Sequence, residues 1–146
     1  MIRLRDLLHE TNYDRIDKLP PGKLFDDAKN IKDIFKMSHH TWSEVIEAFE
    51  KNQETVQPVN INISDIRITQ PNIRINKVKQ IIANINTMTP INAVQFTDGE
   101  IAIYDGHHRL VANWALDKQT IGVNLVKLNQ PKYDASGIDT PGDPTM

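Results

Sequence analysis

Apolar and polar positions change period repeatedly between residues 59 and 125, and each change predicts an element. Val59, Ile61 and Ile63 alternate with Asn60 and Asn62, the pattern of a half-buried strand. After Gln70-Pro71 the spacing becomes i, i+3, i+4, i+7 at Val78, Ile81, Ile82 and Ile85, an apolar stripe on a helix. Residues 91–96 predict a second strand, and residues 101–104 its return. Asp98-Gly99 between them predicts a type I′ hairpin turn, since Gly tolerates positive φ. Leu110, Val111, Trp114 and Ala115 mark another amphipathic helix, and Ile121, Val123 and Leu125 a last strand. The resulting order is β-α-β-β-α-β, an α+β fold with one sheet and two packed helices.

The preceding residues, 1–55, predict a helical N-terminal extension. Ile2, Leu4, Leu7 and Leu8 suit a short helix. Beyond the Pro20-Pro21-Gly22 break, Leu24, Ala28, Ile31, Ile34 and Phe35 recur at helical spacing. Thr41-Trp42-Ser43-Glu44 reads as a capping box opening a helix that buries Trp42, Val45, Ile46 and Phe49. Residues 56–128 then form the main domain. Residues 129–146 hold three of the eight prolines and few large apolar side chains, the composition of an extended or disordered tail.

The 146-residue length is that of about one domain. No apolar run spans a bilayer and the N-terminus lacks a secretory signal, so the expected compartment is the cytoplasm. With no cysteine, disulfides, thiolate zinc sites and cysteine nucleophiles are excluded. The net charge of −2 averages acidic flanks and a middle, 56–128, with 7 basic against 5 acidic residues. That middle suits an anionic ligand. It has no dense basic stripe, so DNA binding through Arg67, Arg74, Lys77 and Lys79 is not favoured.

Chemistry concentrates at Tyr104-Asp105-Gly106-His107-His108-Arg109, where a strand ends and a helix begins. The first N–H groups of a helix lack intrahelical partners and carry the positive end of its dipole, an anion site in outline. Gly106 lets backbone approach a phosphate, Arg109 offers a bidentate fork, and His107 and His108 add donors or a titrating base. Asp105 is placed to cap the helix or to orient a histidine. Such a pair of histidines at a helix start is also common as surface decoration. Cations in the first turn oppose the dipole, however, unless an anion offsets them. The other adjacent pair, His39 and His40, lacks the i, i+4 convergence of a helical metal pair and has no evident third ligand, so no metal site is expected.

The ordered set of short motifs from about 59 to 128 resembles the ParB/sulfiredoxin superfamily. The pieces are Gln70-Pro71-Asn72-Ile73-Arg74, Asn76-Lys77-Val78, Thr89-Pro90-Ile91, Asp105-Gly106-His107-His108-Arg109 with Ala112, and Ile121-Gly122-Val123. The resemblance implies a nucleotide or phosphate group at the strand-to-helix turn: ATP, ADP or CTP, with Mg²⁺ as an accompanying ion. His108 and Arg109 match a phosphate-holding His-Arg pair, and Lys77 a nucleotide-contacting lysine. Gln80 and Asn84 fall on the same helix face without the hydroxyl usual there, and Arg74 closes the early Pro/Arg box. His107 replaces the cysteine that sulfiredoxin chemistry needs, so sulfinic-acid reduction is excluded. The partition proteins' glutamate and second arginine are here His107 and His108. The length leaves no room for their helix-turn-helix domain, so chromosome partitioning is not expected.

The leading expectation is a stand-alone domain of the ParB-like nuclease type, acting in phosphoryl transfer or phosphoester hydrolysis as an NTPase, small-molecule kinase or nuclease. Its expected catalytic residues are Asp105, His107, His108 and Arg109. The alternatives are a non-catalytic nucleotide-binding module and a phage structural or regulatory protein whose residues 1–55 contact a protein partner.

Overall fold

Period-two alternation in the middle of the chain produces a sheet covered on both faces. In the computed structural model, which describes residues 15–84 and 89–129, the strands are β1 (Ala28–Asn30), β2 (Gln57–Asn62), β3 (Ile66–Arg67), β4 (Asn72–Arg74), β5 (Ile91–Gln95), β6 (Ile101–Asp105) and β7 (Thr120–Lys127). The helices are α1 (Trp42–Lys51), α2 (Ile75–Ala83) and α3 (His107–Ala115). Five strands form one mixed sheet in the order β2-β7-β5-β6-β3, with β5 parallel to β7 and antiparallel to β6. The fold is α+β, and β2, α2, β5, β6, α3 and β7 follow one another in the expected β-α-β-β-α-β order.

Successive residues of a strand point to opposite faces, and the core divides accordingly. Ala93, Ile103 and Leu125 pack under α2 and α3 through Val78, Ile82, Leu110 and Val111. Their neighbours Val94, Ala102 and Val126 pack under α1 through Val45, Ala48 and Phe49. Fully burying such a side chain contributes ~1.5–3 kcal/mol, which fixes the register of the central strands. The capping box forms as expected: Glu44 N–H donates to Thr41 Oγ1 at 3.1 Å, and Thr41 N–H donates to Glu44 Oε1 at 2.7 Å.

Two local expectations are corrected. Residues 24–35 do not form a helix; they hold the short strand β1, which pairs antiparallel with β4. Leu24 is 68% exposed and Ile34 39%, whereas Ala28, Ile31 and Phe35 are buried, so the apparent helical stripe has no common face. The backbone instead bonds across the fold, with Ile31 N–H donating to Pro71 O and Ile75 N–H to Asp27 O. Ile16, Leu19, Ile31 and Phe35 enter the same core as the sheet, so long-range burial overrides local spacing. The β5–β6 turn is also not type I′. Gly99 has φ +91° whereas Asp98 does not have positive φ, and Gly99 N–H donates to Phe96 O. This is the three-residue loop in which a glycine follows an ordinary turn. The expected helix at 2–9, Ile85 and the tail beyond residue 129 lie outside the described residues.

Candidate functional site

Strand β6 ends with Tyr104 and Asp105, and Gly106 turns the chain into α3. Gly106 has φ +119°, and a Cβ there would lie 2.6 Å from Ile91 Cγ2. Only glycine makes this turn without strain. No side chain caps α3 and its first turn holds no acidic residue. The first residues of α3 border a cleft of about 950 Å³ lined by Trp42, Thr69, Gln70, Lys77, Gln80, Ile81, Asn84 and residues 104–109.

All the residues expected at the nucleotide or catalytic site line this cleft except Arg74. The Arg74 guanidinium turns away, donating from Nε to Asp27 Oδ1 at 3.3 Å and lying 4.6 Å over the Phe25 ring. Lys77 is exposed on α2 and has no carboxylate partner among the described residues. Asp105 neither caps α3 nor touches a histidine. It accepts from Arg109 Nη2 at 3.1 Å, with its carboxylate 62% exposed. Arg109 Nη1 donates to Thr89 Oγ1 at 2.6 Å and to Pro90 O, so its fork is already held on the 89–90 segment.

The two histidines are placed differently from the expectation of free acid–base groups. His107 is 7% exposed, and its Nε2 accepts Thr69 N–H at 2.9 Å and lies 3.3 Å from Gln70 N. An Nε2 that accepts backbone N–H leaves the ring proton on Nδ1. Burial, and then the neighbouring His108, push its pKa down to about 4. His108 repeats the arrangement: its Nε2 accepts Arg74 N–H at 3.0 Å. Burial, then Lys77 and Arg74, hold its pKa below the ordinary imidazole range. Both rings are neutral near pH 7 and their Nε2 lone pairs are occupied. They tie the first turn of α3 to the β3–β4 connection and to the start of α2, and leave N–H donors rather than bases.

One contributor escaped the sequence. Trp42 is 46% exposed rather than buried, and stacks on Tyr104 with ring centroids 5.9 Å apart. Tyr104 in turn stacks on Phe49 at 4.4 Å and donates its hydroxyl to Glu50 Oε2 at 2.9 Å. The pair forms an aromatic ledge beside the uncapped turn. Its only sequence signal was the position of Trp42 at the first residue of α1, where a helix face has barely begun.

A second correction concerns His39 and His40. The expected lack of a third ligand fails, because the β5–β6 turn places Asp98 against both rings.

No protein-family model matches the chain, and no curated protein matches it. Among solved structures, the chain is similar to sulfiredoxin from Arabidopsis thaliana, with 28% identity over 49% of this chain and 86% of that one, at a TM-score of 0.42. It is also similar to the C-terminally truncated chromosome-partitioning protein ParB from Caulobacter crescentus complexed with CTP-gamma-S. That identity is 15% over 57% of this chain and 56% of that one, also at a TM-score of 0.42. The chain thus spans about half the length of the ParB structure. No helix among the described residues is long and apolar enough to cross a membrane.

Proposed function

We propose that the cleft binds a nucleotide or related phosphate ester, with phosphate oxygens at the first N–H groups of α3 and the base against the Trp42–Tyr104 ledge. One observation carries this reading: an uncapped helix N-terminus opens into the same cleft as Lys77, a lysine with no carboxylate partner among the described residues. Backbone N–H groups and a positive dipole end favour phosphate, and Lys77 supplies the full charge they lack. The neutral rings of His107 and His108 brace this turn. Trp42 and Tyr104 provide a π-face wide enough for a nucleobase, a contact worth ~1–3 kcal/mol per base in stacking sites.

The test is thermal unfolding with ATP, ADP, CTP or inorganic pyrophosphate. At about 100 times Kd a ligand stabilises by ~2.7 kcal/mol. Lys77→Ala is expected to weaken binding of all four, and Trp42→Ala that of the nucleotides but not of pyrophosphate. No stabilisation by any of the four, or binding untouched by Lys77→Ala, would overturn the assignment.

The exposed carboxylate of Asp105 favours a second reading, phosphoester hydrolysis or phosphoryl transfer with Mg²⁺. Mg²⁺ is commonly held by one or two carboxylates together with substrate phosphates. Product formation from nucleoside triphosphates or plasmid DNA, present with Mg²⁺ and lost in Asp105→Asn, would establish it. Ligand-induced stabilisation without product leaves the binding module.

A further inference from the structure

At the turn of the β5–β6 hairpin, the other end of β6 from the Tyr104 ring of the aromatic ledge, a second cluster has a different chemistry. His39 Nε2 and His40 Nε2 each lie 3.0 Å from the same oxygen, Asp98 Oδ2. Their ligand atoms, with that of Asp98, all fall within 4.8 Å of one another. We propose that His39, His40 and Asp98 bind a divalent transition metal of the zinc class, independently of the nucleotide cleft.

The geometry suits such an ion without large movement. Tetrahedral zinc with bonds of ~2.0–2.1 Å has ligand-to-ligand edges of roughly 3.3 Å, close to the observed nitrogen–oxygen separations. Two imidazoles and one carboxylate form a borderline donor set that favours zinc or its neighbours over Mg²⁺ or Ca²⁺, which take oxygen ligands.

The surroundings also orient the donors. His39 Nδ1 lies 2.6 Å from Glu100 Oε1, so its proton is held there and Nε2 is left as the ligand atom. A carboxylate behind a ligating histidine is the usual outer arrangement of a zinc site. Glu100 is fixed by the Ser38 hydroxyl, which donates to its other oxygen, and Asp98 is oriented by Glu100 N–H donating to its Oδ1 at 2.8 Å. The His40 ring stacks on Phe96 at 3.7 Å, an apolar wall that fixes its plane.

Charge points the same way. Asp98, Glu100 and Glu44, the last 3.8 Å from His40 Nδ1, converge on the two rings. Among the described residues, no Lys or Arg forms an ion pair with any of the three. A divalent cation offsets this concentration of negative charge. Three protein ligands leave a fourth position for water, the ligand count of an open rather than a closed site. His39, Asp98 and Glu100 line a shallow cleft of about 640 Å³ together with Ser64 and Arg67, so a ligand could reach that position.

The test is calorimetric titration of the untagged chain with Zn²⁺, with visible absorption of the Co²⁺ form as the geometric readout. One ion per chain and the intense bands of four-coordinate Co²⁺ are expected. Asp98→Asn keeps an oxygen for the Glu100 N–H and so preserves the turn, and it is expected to weaken Zn²⁺ binding at least ~10-fold. Glu100→Gln, which removes only the outer carboxylate, is expected to weaken it ~10–100-fold. The His39→Ala/His40→Ala double variant is expected to lose the cobalt bands while still unfolding cooperatively. Zinc affinity unchanged in Asp98→Asn or in the double variant, or only the weak spectrum of six-coordinate Co²⁺, would overturn the assignment.

Discussion

Acid should loosen this protein through His107 well before its carboxylates protonate. The ring is buried, and its Nε2 lone pair accepts Thr69 N–H at 2.9 Å. Protonation would remove that acceptor and place a charge among apolar groups. The folded-state pKa is about 4 against an ordinary 6.5, so between these values the unfolded chain binds more protons than the native one. Stability from this group is therefore fully present above about pH 6.5 and lost as pH falls toward about 4. At 1.36 kcal/mol per tenfold in proton affinity, the whole window corresponds to about 3 kcal/mol, and the drop from pH 7 to 5 to about 2 kcal/mol. Against the ~5–15 kcal/mol of a typical domain this is a readily measured loss. His108 adds to it in the same direction, since its pKa is also lowered. Urea unfolding of the wild type and His107→Gln at pH 7, 6 and 5 isolates the effect, because Gln keeps an acceptor near Nε2 but does not titrate. The wild-type curve should fall more steeply by about 2 kcal/mol over that range. Parallel curves, or an NMR titration placing the His107 ring near 6.5, would refute the burial account.

Three further outcomes can be checked. Gly106→Ala forces a Cβ to within 2.6 Å of Ile91 Cγ2 at φ +119°, and should destabilise by at least ~1–3 kcal/mol in urea unfolding. Thr41→Ala removes the cap of α1 and should cost ~1 kcal/mol in the same assay without changing nucleotide binding. Trp42→Ala, at an exposed position, should leave stability within about 1 kcal/mol of wild type while lowering nucleotide affinity ~5-fold or more, measured by calorimetric titration.

The core was legible because burial on a strand or helix repeats with a fixed period. Val59 and Ile61 in β2, Ile91 in β5, Leu110 and Val111 in α3, and Val123 and Leu125 in β7 each declare a face within their own few residues. The capping box of α1 and the approach of the chain at Gly106 are local in the same sense. Helical spacing at 24–35 failed because five apolar residues can fall three and four apart by coincidence. Ile31 and Phe35 are drawn into the core, while Leu24 and Ile34 remain exposed.

What the amino-acid order determined by itself was the alternation that builds the sheet and its two flanking helices, and the helix N-terminus that carries Gly106, His107, His108 and Arg109. The tertiary structure decided what those groups can do. It closed the Nε2 atoms of His107 and His108 on backbone N–H groups more than thirty residues away, set Asp105 against Arg109, and left Lys77 facing the cleft. It also turned Trp42 onto Tyr104 and brought Asp98 to His39 and His40 across 58 residues of chain. Local pattern reports which side of an element is apolar. The partner of a polar side chain depends on where distant segments cross, and a period of two or 3.6 residues carries no information about that crossing.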